Sequence, residues 1–200
     1  VLIKLRLATP QDADALLEIY APYVKQTAIS FEYDVPGVAE FAGRIEQTLQ
    51  RYPYLIAYVS DEAACADDER NENFKISASE AYDWSAESSV YVSQNVRAFG
   101  IGRLLYEALQ RALKAQNIVD MHACIACGDD EYLNDASVRF HERMGFRFVG
   151  RFERCAYKFG RWYDMAWMQK PIGEHLQNQP AMRPFACFRD EICASAGIEI

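Results

Sequence analysis

The chain has 200 residues, half of them hydrophobic and a quarter charged, which suits one α/β domain with a core of ordinary size. A formal net charge of -8, with no block of Lys or Arg, excludes a surface built to grip a phosphate backbone and leaves an amine-bearing partner the more comfortable one. There is no stretch of about 18 apolar residues and no signal-peptide pattern, so the chain reads as cytoplasmic, without a membrane segment and without nucleic acid as a partner.

In chain order, Leu2–Leu7 alternates as a short strand, and Thr9-Pro10-Gln11-Asp12 opens a helix with a cap, a first-turn proline and an acidic residue at the positive end of the dipole. Ala13, Leu16, Leu17 and Tyr20 give that helix its apolar stripe. Val38, Phe41, Ile45 and Leu49 predict a second helix that ends before Pro53, and Tyr54–Val59 predicts a buried strand. The acidic stretch 60–80 has few β-branched residues and predicts a loop or a poor strand. In Ser88–Ser93 the residues Val90 and Val92 face one way, Ser89 and Tyr91 the other. Gly100 to Gln116 is a helix whose residues Leu104, Leu105, Ala108, Leu109, Ala112 and Leu113 share a face. Met121–Ala126 is a strand, Asn134–Met144 a helix capped by Asn134 and stopped by Gly145, and Phe146–Val149 and Trp162–Gln169 are closing strands. The sum is a mixed α/β (α+β) domain over residues 1–171, its helices crossing a mostly antiparallel sheet. Residues 172–200 form an extension of no firm period, compatible with a small packed helix or a mobile end.

Six cysteines include the pair Cys124-Ile-Ala-Cys127, but a zinc site needs a second such pair or a histidine pair, and a redox site needs the first Cys to open a helix. Neither condition is met, so the cysteines read as buried thiols and no metal is expected.

The chemistry concentrates between the strand at Val92 and the helix that follows. Arg97, Ala98, Phe99, Gly100, Ile101, Gly102 and Arg103 form a glycine turn opening a helix, where unpaired N–H groups, the helix dipole and two arginines favour an anion such as a pyrophosphate. A dinucleotide fingerprint would need a small residue where Leu105 stands, and a Walker loop would need Gly-Lys-Ser/Thr. A turn that only redirects the chain remains open on these residues alone.

The Arg-x-x-Gly-x-Gly-Arg arrangement resembles the pyrophosphate-binding motif of the GNAT acyltransferase superfamily. Asn134-x-x-Ser137-x-x-x-His141-x-x-x-Gly145-Phe146 is similar to that superfamily's downstream helix and strand, one helix and one strand further on. Within the superfamily the chain resembles the phosphinothricin and methionine sulfoximine acetyltransferases. That match rests on Thr27-Ala28-Ile29-Ser30-Phe31-Glu32, Ala81-Tyr82-Asp83-Trp84, Glu87-Ser88-Ser89-Val90-Tyr91-Val92 and Lys158-Phe159-Gly160-Arg161-Trp162-Tyr163-Asp164. The resemblance implies a GNAT-type sheet flanked by helices on both faces, acetyl-CoA as co-substrate, a small amino-acid-like amine as acceptor, and a homodimer. Glu87 would be the general base and His141 the acid or a partner in amine deprotonation. The backbone of Val90, Tyr91 and Val92, the glycine turn, Asn134 and Ser137 would hold acetyl-CoA, and Phe31, Tyr82 and Trp84 would line the acceptor pocket. The chain departs from the group where basic residues precede its Ala-Tyr-Asp-Trp segment: Ser77, Ala78, Ser79 and Glu80 stand there, with Lys75 the nearest cation. Rival readings are a protein or peptide N-acetyltransferase, a catalytically silent acyl-CoA-binding module, and a dinucleotide oxidoreductase using Asp120.

Overall fold

The computed structural model describes residues 2–60, 69–74, 80–93 and 100–199. Seven strands form one sheet: β1 (Leu2–Leu7), β2 (Leu55–Ser60), β3 (Glu69–Phe74), β4 (Ser85–Tyr91), β5 (Asp120–Cys127), β6 (Arg147–Lys158) and β7 (Arg161–Pro171), in spatial order β1-β2-β3-β4-β5-β7-β6. Every neighbouring pair is antiparallel except β4 and β5. Those two run parallel and pair only at Ser85–Asp120, Ala86–Met121 and Glu87–His122, then part. The sheet therefore forks at Glu87.

Helices α1 (Ala13–Gln26) and α2 (Val38–Arg51) cover one face; α3 (Ile101–Ala115), α4 (Ala136–Arg143) and α5 (Phe185–Ala196) lie on the other. The α3 stripe is the spine of the main core. Leu105, Ala108, Leu109, Ala112 and Leu113 are buried against Leu55, Ala57, Met121 and Met168 from both sides of the fork. Each such leucine contributes roughly 2–3 kcal/mol by leaving water. On the opposite face Leu16, Tyr20, Phe41 and Ile45 close over Tyr54 and Ile56.

In the acidic 60–80 stretch, expected as a loop or a poor strand, Glu69–Phe74 form β3, held by backbone pairing on both sides although its composition is polar. Two expectations are corrected. The strand expected at Phe146–Val149 runs on to Lys158; register shifts at Phe148/Gly150 and Phe152/Ala156, with Arg154 at φ 47°, break its alternation. The helix expected from Asn134 begins at Ala136, with the Asn134 side chain accepting the Ala136 N–H at 2.9 Å.

The C-terminal stretch is a packed helix. Phe185, Ile192, Cys193, Ala196 and Ile198 enter the main core. Gln116 Nε2 donates to the Arg51 and Arg183 carbonyls at 2.7 and 2.9 Å, and Arg111 donates to the Ala196 carbonyl. Glu199 then lies beside β1, its N–H on the Leu5 carbonyl at 2.9 Å and its carbonyl accepting from Leu7 at 3.3 Å. Among the described residues no helix is long and apolar enough to cross a membrane.

Candidate active site

The fork makes a cleft. Ser88–Tyr91 of β4 form one wall and Ala123–Ala126 of β5 the other, with Ile29, Leu133, Ser137 and His141 completing the lining. Backbone groups that would bond between parallel neighbours instead face this opening.

Glu87 stands at the vertex, on the last paired rung beside His122. Its side chain is half-buried, and burial alone pushes its carboxyl up to about 7. At neutral pH it is present as both acid and carboxylate. Its charge is felt at Tyr106 and at Cys124, whose thiol burial and that charge hold up at about 12. Cys124 is therefore a protonated thiol, and Cys124 and Cys127 are both free.

His141 is 4% exposed and both its nitrogens are engaged. Nδ1 lies 2.8 Å from the Ser137 carbonyl, which can only accept, so the proton is on Nδ1. Nε2, 2.7 Å from the Tyr106 hydroxyl, is then the acceptor and Tyr106 the donor. Burial lowers the imidazole pKa and keeps the ring neutral. Tyr106, 1% exposed, has its own ionisation pushed up by burial, and its oxygen also lies 3.4 Å from the Ser88 carbonyl. This pair joins α3, α4 and β4 directly behind the cleft. Sequence reasoning missed Tyr106: it sits within the α3 apolar stripe, and only its polar tip distinguishes it from a core residue.

The α3 N-terminus lies beside the end of β4, where the Cβ position of Gly102 is 3.8 Å from Val92 Cγ2. Gly100 caps it in the left-handed conformation, φ 75°, with no side-chain cap and nothing within 4 Å of the place a Cβ would occupy. The N–H groups of Ile101, Gly102 and Arg103 have no intrahelical acceptor. Ile101 buries its side chain in the core, leaving only its backbone for a ligand. At Gly102 an added Cβ would meet the Phe140 ring at 3.6 Å, an ordinary packing distance, so α3 and α4 lie in contact there without requiring a glycine. Arg97, Ala98 and Phe99 lie outside the described residues, as do Lys75, Ser77, Ala78 and Ser79.

Other predicted residues fall in different places. Arg103 is exposed and pairs with Glu107 at 2.7 Å, one helical turn on, so its guanidinium is not held for an anion. Val90 packs on the main core and Tyr91 sits edge-on to Tyr20 and Tyr23, as the alternation predicts. Val92 lies past the end of β4 with its carbonyl accepting from the Tyr23 hydroxyl at 2.5 Å, away from the cleft lining. Ser137 lines the cleft, whereas Asn134 is exposed, two residues before its helix, with its side chain accepting the Ala136 N–H. Phe31 packs beside Ala28, Ala126, Leu133 and Tyr163 at the mouth. Tyr82 and Trp84 precede β4 on the paired side of the fork, Tyr82 exposed, the Trp84 indole N–H donating to the Pro180 carbonyl at 2.7 Å. Among the described residues no group of three or more His, Cys, Asp or Glu is arranged to hold a metal ion.

With this geometry in hand, comparison with known proteins is direct. The acetyltransferase (GNAT) domain family matches residues 5–167. The chain is 32% identical over 168 residues to a phosphinothricin N-acetyltransferase of Streptomyces viridochromogenes, covering 84% of this chain and 87% of that protein. It is 27% identical over 180 residues to the L-amino acid N-acyltransferase MnaT of Escherichia coli, covering 88% and 97%. Its fold superposes on a phosphinothricin acetyltransferase of Sinorhizobium meliloti solved with acetyl-CoA, with TM-score 0.80, 29% identity, and coverage of 92% and 96%. It also superposes on YncA of Salmonella typhimurium, solved with its cofactor acetyl-CoA, with TM-score 0.77, 26% identity, and coverage of 88% and 97%. The match of the acetyltransferase (GNAT) domain over residues 5–167, with 32% identity to a relative over 84% of the chain, places the protein in the GNAT acetyltransferase family.

Proposed function

We propose that this acetyltransferase moves an acetyl group from acetyl-CoA to the α-amino nitrogen of a small amino-acid-like acceptor of the phosphinothricin or methionine sulfoximine type. The carrying observation is Glu87, a carboxyl raised to about 7 at the vertex of the cleft. A general base works best with its pKa near the operating pH, and an ordinary glutamate would be too weak to accept a proton from an ammonium.

The cleft fits the co-substrate. The unbonded strand edges suit an amide-bearing arm, and the uncapped N-terminus of α3 suits phosphate oxygens. Acetyl-CoA supplies the activated thioester. Glu87 takes the first ammonium proton from the acceptor, directly or through water, which frees the nitrogen lone pair. Tyr106 and His141 hold the leaving-group side neutral. With its ionisation pushed up, Tyr106 keeps its proton and acts as a hydrogen-bond donor, and neutral His141 is the acceptor that orients it. The amine's second proton is the one that ends on sulfur. His141 is thus a positioning residue for Tyr106 in this reading, a narrower role than the acid that its motif suggests.

The acceptor class draws support from the named relatives and from the small mouth framed by Ile29, Phe31 and Leu133. The resemblance also implies a homodimer. The outer strand β6 and the neighbouring hairpin expose Phe148, Phe152, Tyr157 and Trp162, an apolar surface available for a second copy. The test of function is a free-thiol release assay with acetyl-CoA against phosphinothricin, methionine sulfoximine, the common amino acids and short peptides. Turnover with a free amino-acid analogue that falls about a hundredfold or more in Glu87→Gln supports the reading. Turnover on peptides alone, or acetyl-CoA binding with no acetylation, overturns it.

A further inference from the structure

Lys158 closes β6, far along the chain from every residue placed in the cleft, yet it is 2% exposed. Its ammonium is fully coordinated: Nζ donates to the carbonyls of Val24 at 2.8 Å, Thr27 at 3.1 Å and Ser30 at 2.5 Å. Val24 lies in the last turn of α1, where a carbonyl lacks an intrahelical donor and the helix dipole favours a cation. The Phe159 ring lies 5.0 Å from the same nitrogen. Three protons thus meet three carbonyls, and the segment 24–30 is wrapped around one cation.

That segment carries Ile29 into the cleft lining and leads to Phe31 at its mouth. Ala28 is fixed from another side, its N–H on the Tyr132 carbonyl at 3.1 Å. The arm that presents Lys158 is stiff, because Phe159 and Gly160 turn the β6–β7 hairpin in left-handed conformations, φ 51° and 75°. The same hairpin tip makes two more ties. Tyr33 donates to the Tyr157 carbonyl at 2.5 Å, and Arg161 pairs with Asp130 at 3.1 Å and Glu131 at 2.8 Å, beside cleft-lining Leu133. The hairpin is a strut between the two segments that frame the mouth.

We propose that Lys158 is a positioning residue for the acceptor end of the cleft, its ammonium setting the shape of the 24–30 turn and so the wall formed by Ile29 and Phe31. This rests on the acceptor reading above for its kinetic consequence, while the clamp itself does not. Among the described residues the side-chain hydrogen bonds of Lys158 all go to the 24–30 segment and none to α3, β4 or β5, so the effect is expected mainly at the acceptor end.

The test uses Lys158→Met and Lys158→Ala in the full chain. Lys158→Met is expected to raise the acceptor KM about tenfold or more, with kcat within about threefold and acetyl-CoA Kd within about twofold. In Lys158→Ala, ammonium chloride is expected to restore part of the acceptor KM and to raise Tm, whereas tetramethylammonium chloride at equal ionic strength does neither. A uniform loss of kcat, acetyl-CoA binding and Tm with no ammonium response would overturn the proposal. If the wild type acetylates no amino-acid analogue, the acceptor reading falls alone. The clamp is then judged by ammonium-dependent Tm and by amide exchange, where faster exchange confined to 27–33 in Lys158→Ala supports it and unchanged exchange overturns it. If both Lys158 variants are insoluble, Tyr33→Phe cuts a tie of the same hairpin at an exposed site. A two- to fourfold rise in acceptor KM is then expected, and an unchanged KM would count against the clamp.

Discussion

Replacing Glu87 by Gln is expected to make the protein less active and more stable at once. The carboxyl is raised from 4.5 to about 7 by burial. In the folded state the neutral form is favoured, so the unfolded chain holds fewer protons than the folded one between those values. The wild type therefore loses stability as pH rises from 4.5 through 7, and the loss is complete above 7. At about 1.36 kcal/mol per pH unit the gap is worth about 3 kcal/mol, and solvent reaching the half-buried group reduces this to about 2 kcal/mol. Glutamine has no charge to bury. At pH 8 Glu87→Gln is expected to melt about 4–8 °C above the wild type, the span that about 2 kcal/mol commands in a chain of this size. The difference shrinks as pH falls and vanishes below 4.5. Scanning calorimetry of both proteins from pH 4 to pH 8, beside thiol-release assays, reads both halves. Equal melting temperatures at pH 8 would show that the carboxylate bears no burial penalty, and the argument for Glu87 as a tuned base would fail with it.

Three further outcomes follow from the same site and core. In the wild type, kcat/KM is expected to fall about tenfold per pH unit below about 7 as Glu87 protonates, and a pH profile of a His141 variant with residual activity is expected to keep that limb, because burial already holds His141 neutral. Tyr106→Phe leaves the buried His141 Nε2 without its donor; a loss of about 1–3 kcal/mol in urea denaturation, and a coupling above about 0.5 kcal/mol in the double-mutant cycle with His141→Ala, are expected. Gln116→Leu removes the donors to Arg51 and Arg183 but also an unpartnered buried Oε1, so a net loss of about 1–2 kcal/mol is expected, with faster amide exchange concentrated in residues 185–199.

What the amino-acid sequence reveals follows the reach of each signal. Helix α3 is legible from end to end because its stripe is strict and Gly100 marks its start. Strand β6 is not, because its bulges interrupt the alternation that would announce it. Strand β3 has no strand composition; its neighbours impose the conformation, a tertiary fact no local window contains. Glu87 and His141 were reachable through motifs, and the structure puts one at the vertex and the other in the wall. Tyr106 was not, since an aromatic in an apolar stripe reads as core until its partner on another helix is known. Tyr82 and Trp84 stand beside the motif but on the paired side of the fork, whose position depends on where two strands cease to pair. The pairing of Arg103 with Glu107 was available from spacing alone, and it diminishes the arginine as an anion ligand.

The return of Glu199 to β1 also bears on how the protein is made. On the ribosome β1 emerges before the other strands of the sheet, and β2 can pair with its inner side early. Its outer side receives residues 198–199 only after all seven strands have been synthesised. Until then the nascent chain carries an open sheet edge, and the hydrophobic groove that Phe185, Ile192 and Ile198 will fill is open to solvent. Loss of residues 185–199 would prolong that exposure indefinitely, so soluble yield is expected to depend on a segment that lies beyond the 5–167 family match.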